Sequence, residues 1–371
     1  MRKNPLLYVA SFAFMIGVGS VVATLPVLLR NMHAGEVEAS LAVTVWGLVY
    51  LLSNIPAGVL ADKIGANRII PVAFLLNFPI GLLMYFGKTI IDYTVARALE
   101  GFLEALIWTG VIGLAVKDEE KSKLMGVSGV YAAIALGFTL GPVLSSIIAS
   151  ISQRLPLLFY SAGSFTAFIV TLPLLKASPV KVSKPPIKLK LNLAAWLSLM
   201  TAFTIGLTES LIVVYAPVLA FESGYIESQL IVSIYYLMGL LGQISIRFLH
   251  NHVMMDPYLL SALLLSGIVA LGSQGPLIPI AIGLLGFFNA QLSSRAQAKV
   301  AEHMRGVEST GAGITNFAWS LGYFLGAPLY SALNPGTFEP QTAVGVVLLG
   351  VLCFYTSLFL RNRRGAIRAN A

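Results

Sequence analysis

Apolar runs of about membrane-spanning length, separated by short polar breaks, follow one another along the whole chain. Twelve can be marked, near residues 6–29, 39–61, 69–86, 90–116, 126–149, 156–175, 193–220, 227–248, 257–273, 275–298, 309–333 and 342–360. About 20 mostly apolar residues cross a bilayer as a helix, so the pattern predicts an all-α membrane protein with twelve transmembrane helices. The opening "MRKNPLLYVASFAF" superficially resembles a signal peptide. Its apolar run is too long for one and eleven more follow, so it is read as the first span.

One polar stretch is long, "KASPVKVSKPPIKLKLN" at 176–192, with prolines and lysines that suit an extended, solvated linker. It divides the chain into 1–175 and 193–371, six spans each. The halves also match one another. "EASLAVTVWGLVYLL" aligns with "ESQLIVSIYYLMGLL", and "GVSGVYAAIALGFTLGPVLSS" with "GAGITNFAWSLGYFLGAPLYS". In the second pair Gly137 and Gly141 meet Gly322 and Gly326, a four-residue spacing that lets helix backbones approach closely. An even number of spans per half makes the repeats parallel, an arrangement in which transporters bind substrate at the midplane between halves.

Charge changes the picture in one respect. The 371 residues are 57% hydrophobic and 11% charged, where a soluble chain has about 25% charged. The net charge of +8 does not point to nucleic acid. With the N-terminus inside, all 24 Lys and Arg except Arg30, Lys88, Arg154 and Arg97 fall on the cytoplasmic side, which puts both termini in the cytoplasm of a cell membrane. The single cysteine, Cys353, forms no intramolecular disulfide. His250 and His252 read as an interfacial loop rather than a metal site, so neither metal nor cofactor is expected.

Between the second and third spans stands "GVLADKIGANRII". It resembles the G-x-L-a-D-R/K-x-G signature of the major facilitator superfamily and occupies the loop where that family carries it. Arg97 and Gly101 resemble the family's R-x-x-x-G motif, with Glu100 where Gln is common. Gly137, Gly141 and Pro142 resemble the G-x-x-x-G-P motif associated with antiporters, with Ser145 and Ser146 in place of the trailing glycines. The resemblance covers essentially the whole chain and implies the major facilitator fold. It also implies a cytoplasmic latch in which Gly58, Asp62 and Gly65 brace the helix near Thr310 and Gly311. After Gly65 the family has two basic residues; here Ala66 and Asn67 precede Arg68, so the latch's charge partner is left open.

The span "YTVARALEGFLEALIWTGVIGLAV" carries Arg97, Glu100 and Glu104, each costing roughly 2.5–3.5 kcal/mol to insert. At about 100° per residue these three, with Gly101 and Trp108, share one stripe about 100° wide. The stripe is expected to face the seam between halves. Arg97 and Glu100 are i, i+3 neighbours and can pair, whereas Glu104 lies roughly 10 Å from Arg97 along the axis. Glu104 is therefore the first candidate proton carrier, with Glu209 of the seventh span and Glu100 beside it. Thr201, Thr204 and Thr208 can form a polar strip next to Glu209. Trp108, Thr204, Thr208, Asn289, Asn316 and Trp319 are candidate cavity residues, with Trp46, Tyr50 and Gln291 beside them. The alternative is structural: an Arg97–Glu100 clamp with Glu104 bonded to a neighbour.

These features predict a monomeric secondary transporter of a small molecule, with proton-coupled efflux of amphipathic or hydrophobic compounds first. Proton-coupled movement of a small anionic metabolite, with Arg97 as the anion ligand, stands second. An intramembrane serine protease is the remote enzyme reading, because "GVSG" around Ser128 matches G-x-S-G. No predicted span holds the histidine such a serine needs. A non-transporting membrane receptor is the other remote class.

Overall fold

The computed structural model describes residues 4–33, 36–118, 123–176, 192–223, 228–249 and 277–333. Among them are ten α-helices: α1 Asn4–Asn31, α2 Glu36–Leu60, α3 Ala66–Phe86, α4 Ile90–Asp118, α5 Lys123–Ala149, α6 Leu158–Thr171, α7 Leu193–Ser223, α8 Ser228–Leu249, α9 Leu277–His303 and α10 Glu308–Leu333. The spans expected at 257–273 and 342–360, the linker, and His250 and His252 lie outside the described residues.

Large apolar side chains stand on the outside of the bundle as well as in its core. Leu52, Phe86, Ile91, Ile147 and Phe248 stand exposed around it, an arrangement that hydrocarbon tolerates and water does not. Six stretches of the described residues are long and apolar enough to cross a bilayer. The fold is that of an all-α membrane protein.

Glycines choose the helix pairs. A Cβ at Gly137 or Gly141 would strike α1 at Phe12, Met15 and Ile16. At the repeat-equivalent Gly322 and Gly326 it would strike α7 at Phe203 and Leu207. So α5 lies on α1 as α10 lies on α7. Ser20 strengthens the first pair by donating to the Gly141 carbonyl at 3.2 Å, and α5 runs through Pro142 as a helix. The N-terminal helices then meet the C-terminal ones chiefly at α2 against α10 and α5 against α8, with further contacts of α4 on α10 and α5 on α9.

Two boundaries differ from the hydropathy pattern. The α2–α3 connection is a π-helical turn, Ala61–Gly65, rather than a loop, ending at Gly65 with φ 104°, which only glycine adopts freely. Helix α9 runs past the apolar segment to His303, because buried Ala298, Val300 and Ala301 continue its packing after polarity has risen. Arg295, near the end of the apolar segment, is buried within α9.

Candidate functional site in the seam between the halves

The site begins with another close approach. A Cβ at Gly101 would meet the Trp46 carbonyl oxygen and the Tyr50 nitrogen, so α4 sits directly on the Trp46–Tyr50 turn of α2. One turn earlier on α4, Arg97 lies over the Trp46 ring, 5.3 Å from its centroid. Its Nη1 meets Glu100 Oε2 at 2.5 Å. The pair is buried, with side-chain exposures of 6% and 0%.

Glu100 and Glu104 turn into the N-terminal helices instead of the seam. Glu104 is 2% exposed, its Oε1 is unpaired among the described residues, and Trp108, one turn on, packs against Phe14 in the same core. Arg97, at one end of the predicted stripe, reaches the seam through Trp46. The stripe shares a helix face as expected, but that face is covered by the N-terminal half's own helices.

The seam itself holds rings. Trp46 and Tyr50 stack on α2, with centroids 5.1 Å apart, and Trp319 and Tyr323 stack on α10 at 5.2 Å. The two stacks cross edge to face, Trp46 on Tyr323 and Tyr50 on Trp319, both at 6.2 Å. Four rings thus close a cycle across the halves. At the other contact, Phe138 of α5 stacks on Tyr236 of α8 at 4.4 Å.

Glu209 joins these two contacts. Tyr236 Oη donates to its Oε1 at 2.8 Å and Trp319 Nε1–H donates to its Oε2 at 2.9 Å. Gly206, one turn earlier on α7, brings this helix against the Trp319 carbonyl and so sets Glu209 within reach. Unlike Glu100 and Glu104, Glu209 is only partly covered.

Other candidates are spoken for. Thr201, Thr204 and Thr208 donate to Leu197, Met200 and Thr204 carbonyls of their own helix. Asn289 is buried and donates to Tyr235 Oη, and Gln291 donates to Ser245. Asn316 is buried on α10 with its Nδ2 unpaired among the described residues. Ser128 Oγ donates to the Met125 carbonyl in its own helix.

Toward the α2–α3 turn, α2 and α10 remain in contact. Asn54 Nδ2 reaches Ser320 Oγ at 3.4 Å, and Gly58 and Gly313 allow backbone contact with Ser309–Thr310 and Asn54. Asp62 accepts from the Ser309 and Thr310 N–H groups at 3.2 and 2.7 Å, and from Thr310 Oγ1 at 2.7 Å. An anion is favoured at this helix N-terminus, where backbone N–H groups lack intrahelical partners. Its cation is Lys117 of α4, which bridges Asp62 Oδ1 and Glu308 Oε2 at 3.3 Å each. Arg68 is exposed. Sequence reasoning missed Lys117, Glu308, Tyr236, Tyr323 and Phe138. The repeat held a signal for the rings, because it aligns Tyr323 with Phe138 and Trp46 with Tyr235.

The family model of the Major Facilitator Superfamily matches residues 7–327. The chain belongs to that superfamily. Among curated relatives, it is 27% identical over 224 residues to the Quinolone resistance protein NorA of Staphylococcus aureus (strain MRSA252), covering 57% of either chain. It is 26% identical over 162 residues to Multidrug resistance protein 1 of Bacillus subtilis (strain 168), covering 43% of this chain and 42% of that one. These matches thus span about half the length of the relatives. Two solved structures share the fold, each with a TM-score of 0.76: the transporter FucP in the outward conformation and the human organic anion transporter MFSD10. FucP is 13% identical over 97% of this chain and 99% of its own, and MFSD10 15% over 96% and 98%.

Proposed function

We propose that the protein is a proton-coupled secondary transporter that exports amphipathic or hydrophobic compounds by rocking its two halves about the aromatic seam. The observation that carries this reading is Glu209, a partly covered carboxylate bonded to Tyr236 and Trp319 at the seam between halves. An intramembrane acid is by default a functional group, and one that is only partly covered can exchange its proton as the seam changes access. Glu104 and Glu100 are tightly enclosed beside Arg97, which suits proton exchange less well than the partly covered Glu209.

Apolar compounds fit a seam surfaced by Trp46, Tyr50, Trp319 and Tyr323, and the resistance proteins among the relatives are consistent with export. The charge distribution supports both termini on the cytoplasmic side, and a monomer is the proposed unit. The anionic-metabolite reading is weaker because Glu100 already occupies Arg97.

Proteoliposomes with an imposed pH gradient test the proposal, using a fluorescent lipophilic cation as cargo. Glu209→Gln is expected to abolish uphill accumulation while sparing equilibrium exchange. Glu104→Gln is expected to keep uphill transport. Unchanged uphill transport in Glu209→Gln would overturn the assignment.

A further inference from the structure

Glu209 does more in this geometry than offer a site for a proton. Each of its two donors also touches the opposite half: Tyr236 stacks on Phe138 and Trp319 stands edge-on to Tyr50. The carboxylate thereby holds one ring at each of the α5–α8 and α2–α10 contacts. We propose that Glu209 is the proton-sensitive clasp of the two halves, with Trp319 and Tyr236 as the positioning residues that pass its protonation state to the inter-half contacts. This rests on the reading of Glu209 as the exchangeable site and specifies how the proton changes the conformation.

The chemistry follows from the donors. While Glu209 is ionised, both bonds are charge-assisted, roughly twice as strong as neutral ones. A proton taken up on Oε1 turns that atom into a donor, so the Tyr236 hydroxyl must reverse and accept. The indole N–H can only donate, so Trp319 keeps a bond to a neutral carbonyl oxygen, at about half its former strength. The clasp therefore loosens on protonation, which removes one restraint on parting the Asp62–Thr310 end.

Besides Tyr236, the ionisable groups facing Glu209 are Tyr235 of α8, Tyr323 of α10 and Tyr131 of α5. Arg97 of α4 lies beyond Tyr323, over Trp46. Among the described residues, none of these other groups is a second carboxylate, so the switch belongs to one residue.

Spin labels at Lys63→Cys and Arg305→Cys, exposed positions on the two halves near the latch, report its opening in a Cys353→Ser background. Electron–electron distance measurements across pH are expected to show a long-distance population that grows as pH falls. Glu209→Gln should hold that population high at every pH. Tyr236→Phe and Trp319→Phe, which remove a donor while keeping a ring, should raise it at high pH and flatten its pH response at least twofold. The differences between variants at each pH carry the result. Should Trp319→Phe fail to purify as a monodisperse protein, Tyr236→Phe decides alone. Wild-type-like titrations in all three variants overturn the clasp. If Glu209→Gln has nevertheless lost uphill transport, the proton-site reading survives that failure.

Discussion

Arg97 has one partner that compensates its charge and one ring that covers it, Glu100 at 2.5 Å and Trp46 at 5.3 Å. Removing one member of such a buried pair leaves the other without compensation, a loss of about 3–5 kcal/mol, whereas replacing both with apolar residues is often neutral. Arg97→Ala should therefore lower the detergent melting temperature sharply, and Arg97→Leu with Glu100→Leu should melt above the single variant. A ligand-binding arginine would behave differently: its loss would impair transport and spare the melt. The pair was legible in the sequence because i, i+3 spacing is a local geometric fact. Which neighbours cover that face is a tertiary fact, and so Glu104 was expected in the seam while the structure encloses it beside Trp108.

Helix spans follow from hydropathy because a bilayer demands length and apolarity of each segment by itself. The glycine contacts were half legible. The repeat of Gly137 and Gly141 in Gly322 and Gly326 marked packing faces, but α1 and α7 as their partners appear only in three dimensions. A contrast between glycines tests this. At Gly101 and Gly322 an added methyl would enter the space of the Trp46 and Phe203 carbonyls, and a backbone cannot yield as a side-chain tip does. At Gly239 it would find ordinary contacts, 3.5 Å to the Gly286 carbonyl and 3.7 Å to Ala290. Alanine in a helix gains roughly 0.5–1 kcal/mol over glycine. Gly239→Ala should thus keep or raise the melting temperature, and Gly101→Ala and Gly322→Ala should lower it.

At the scale of the molecule, α2 and α10 run as one antiparallel seam, from the Trp46–Tyr323 contact through Asn54–Ser320 to Asp62–Thr310. From Trp46 to Asp62 the seam is roughly 24 Å long at 1.5 Å per residue. The family signature made Asp62 legible in advance, but not its cation, because Lys117 arrives from the far end of α4 and the sequence offered Arg68 closer by. Opening this end requires breaking the bonds Asp62 accepts at the start of α10 and the Lys117 bridge to Glu308. Asp62→Asn keeps the size and removes the charge, and a charge at a partly buried helix end contributes up to about 2 kcal/mol. A change of 1.4 kcal/mol is tenfold in an equilibrium, so the open fraction between labels at positions 63 and 305 should rise on the order of tenfold. Lys123→Met removes the bond from Lys123 Nζ to the Ala301 carbonyl, 3.2 Å at a partly buried site, and a charge near Glu308 and Glu302, but no bond to Asp62, and should shift the same fraction by a smaller factor. Equal effects from the two variants would mean that the ends are held by bulk packing, with no special part for the Asp62 charge.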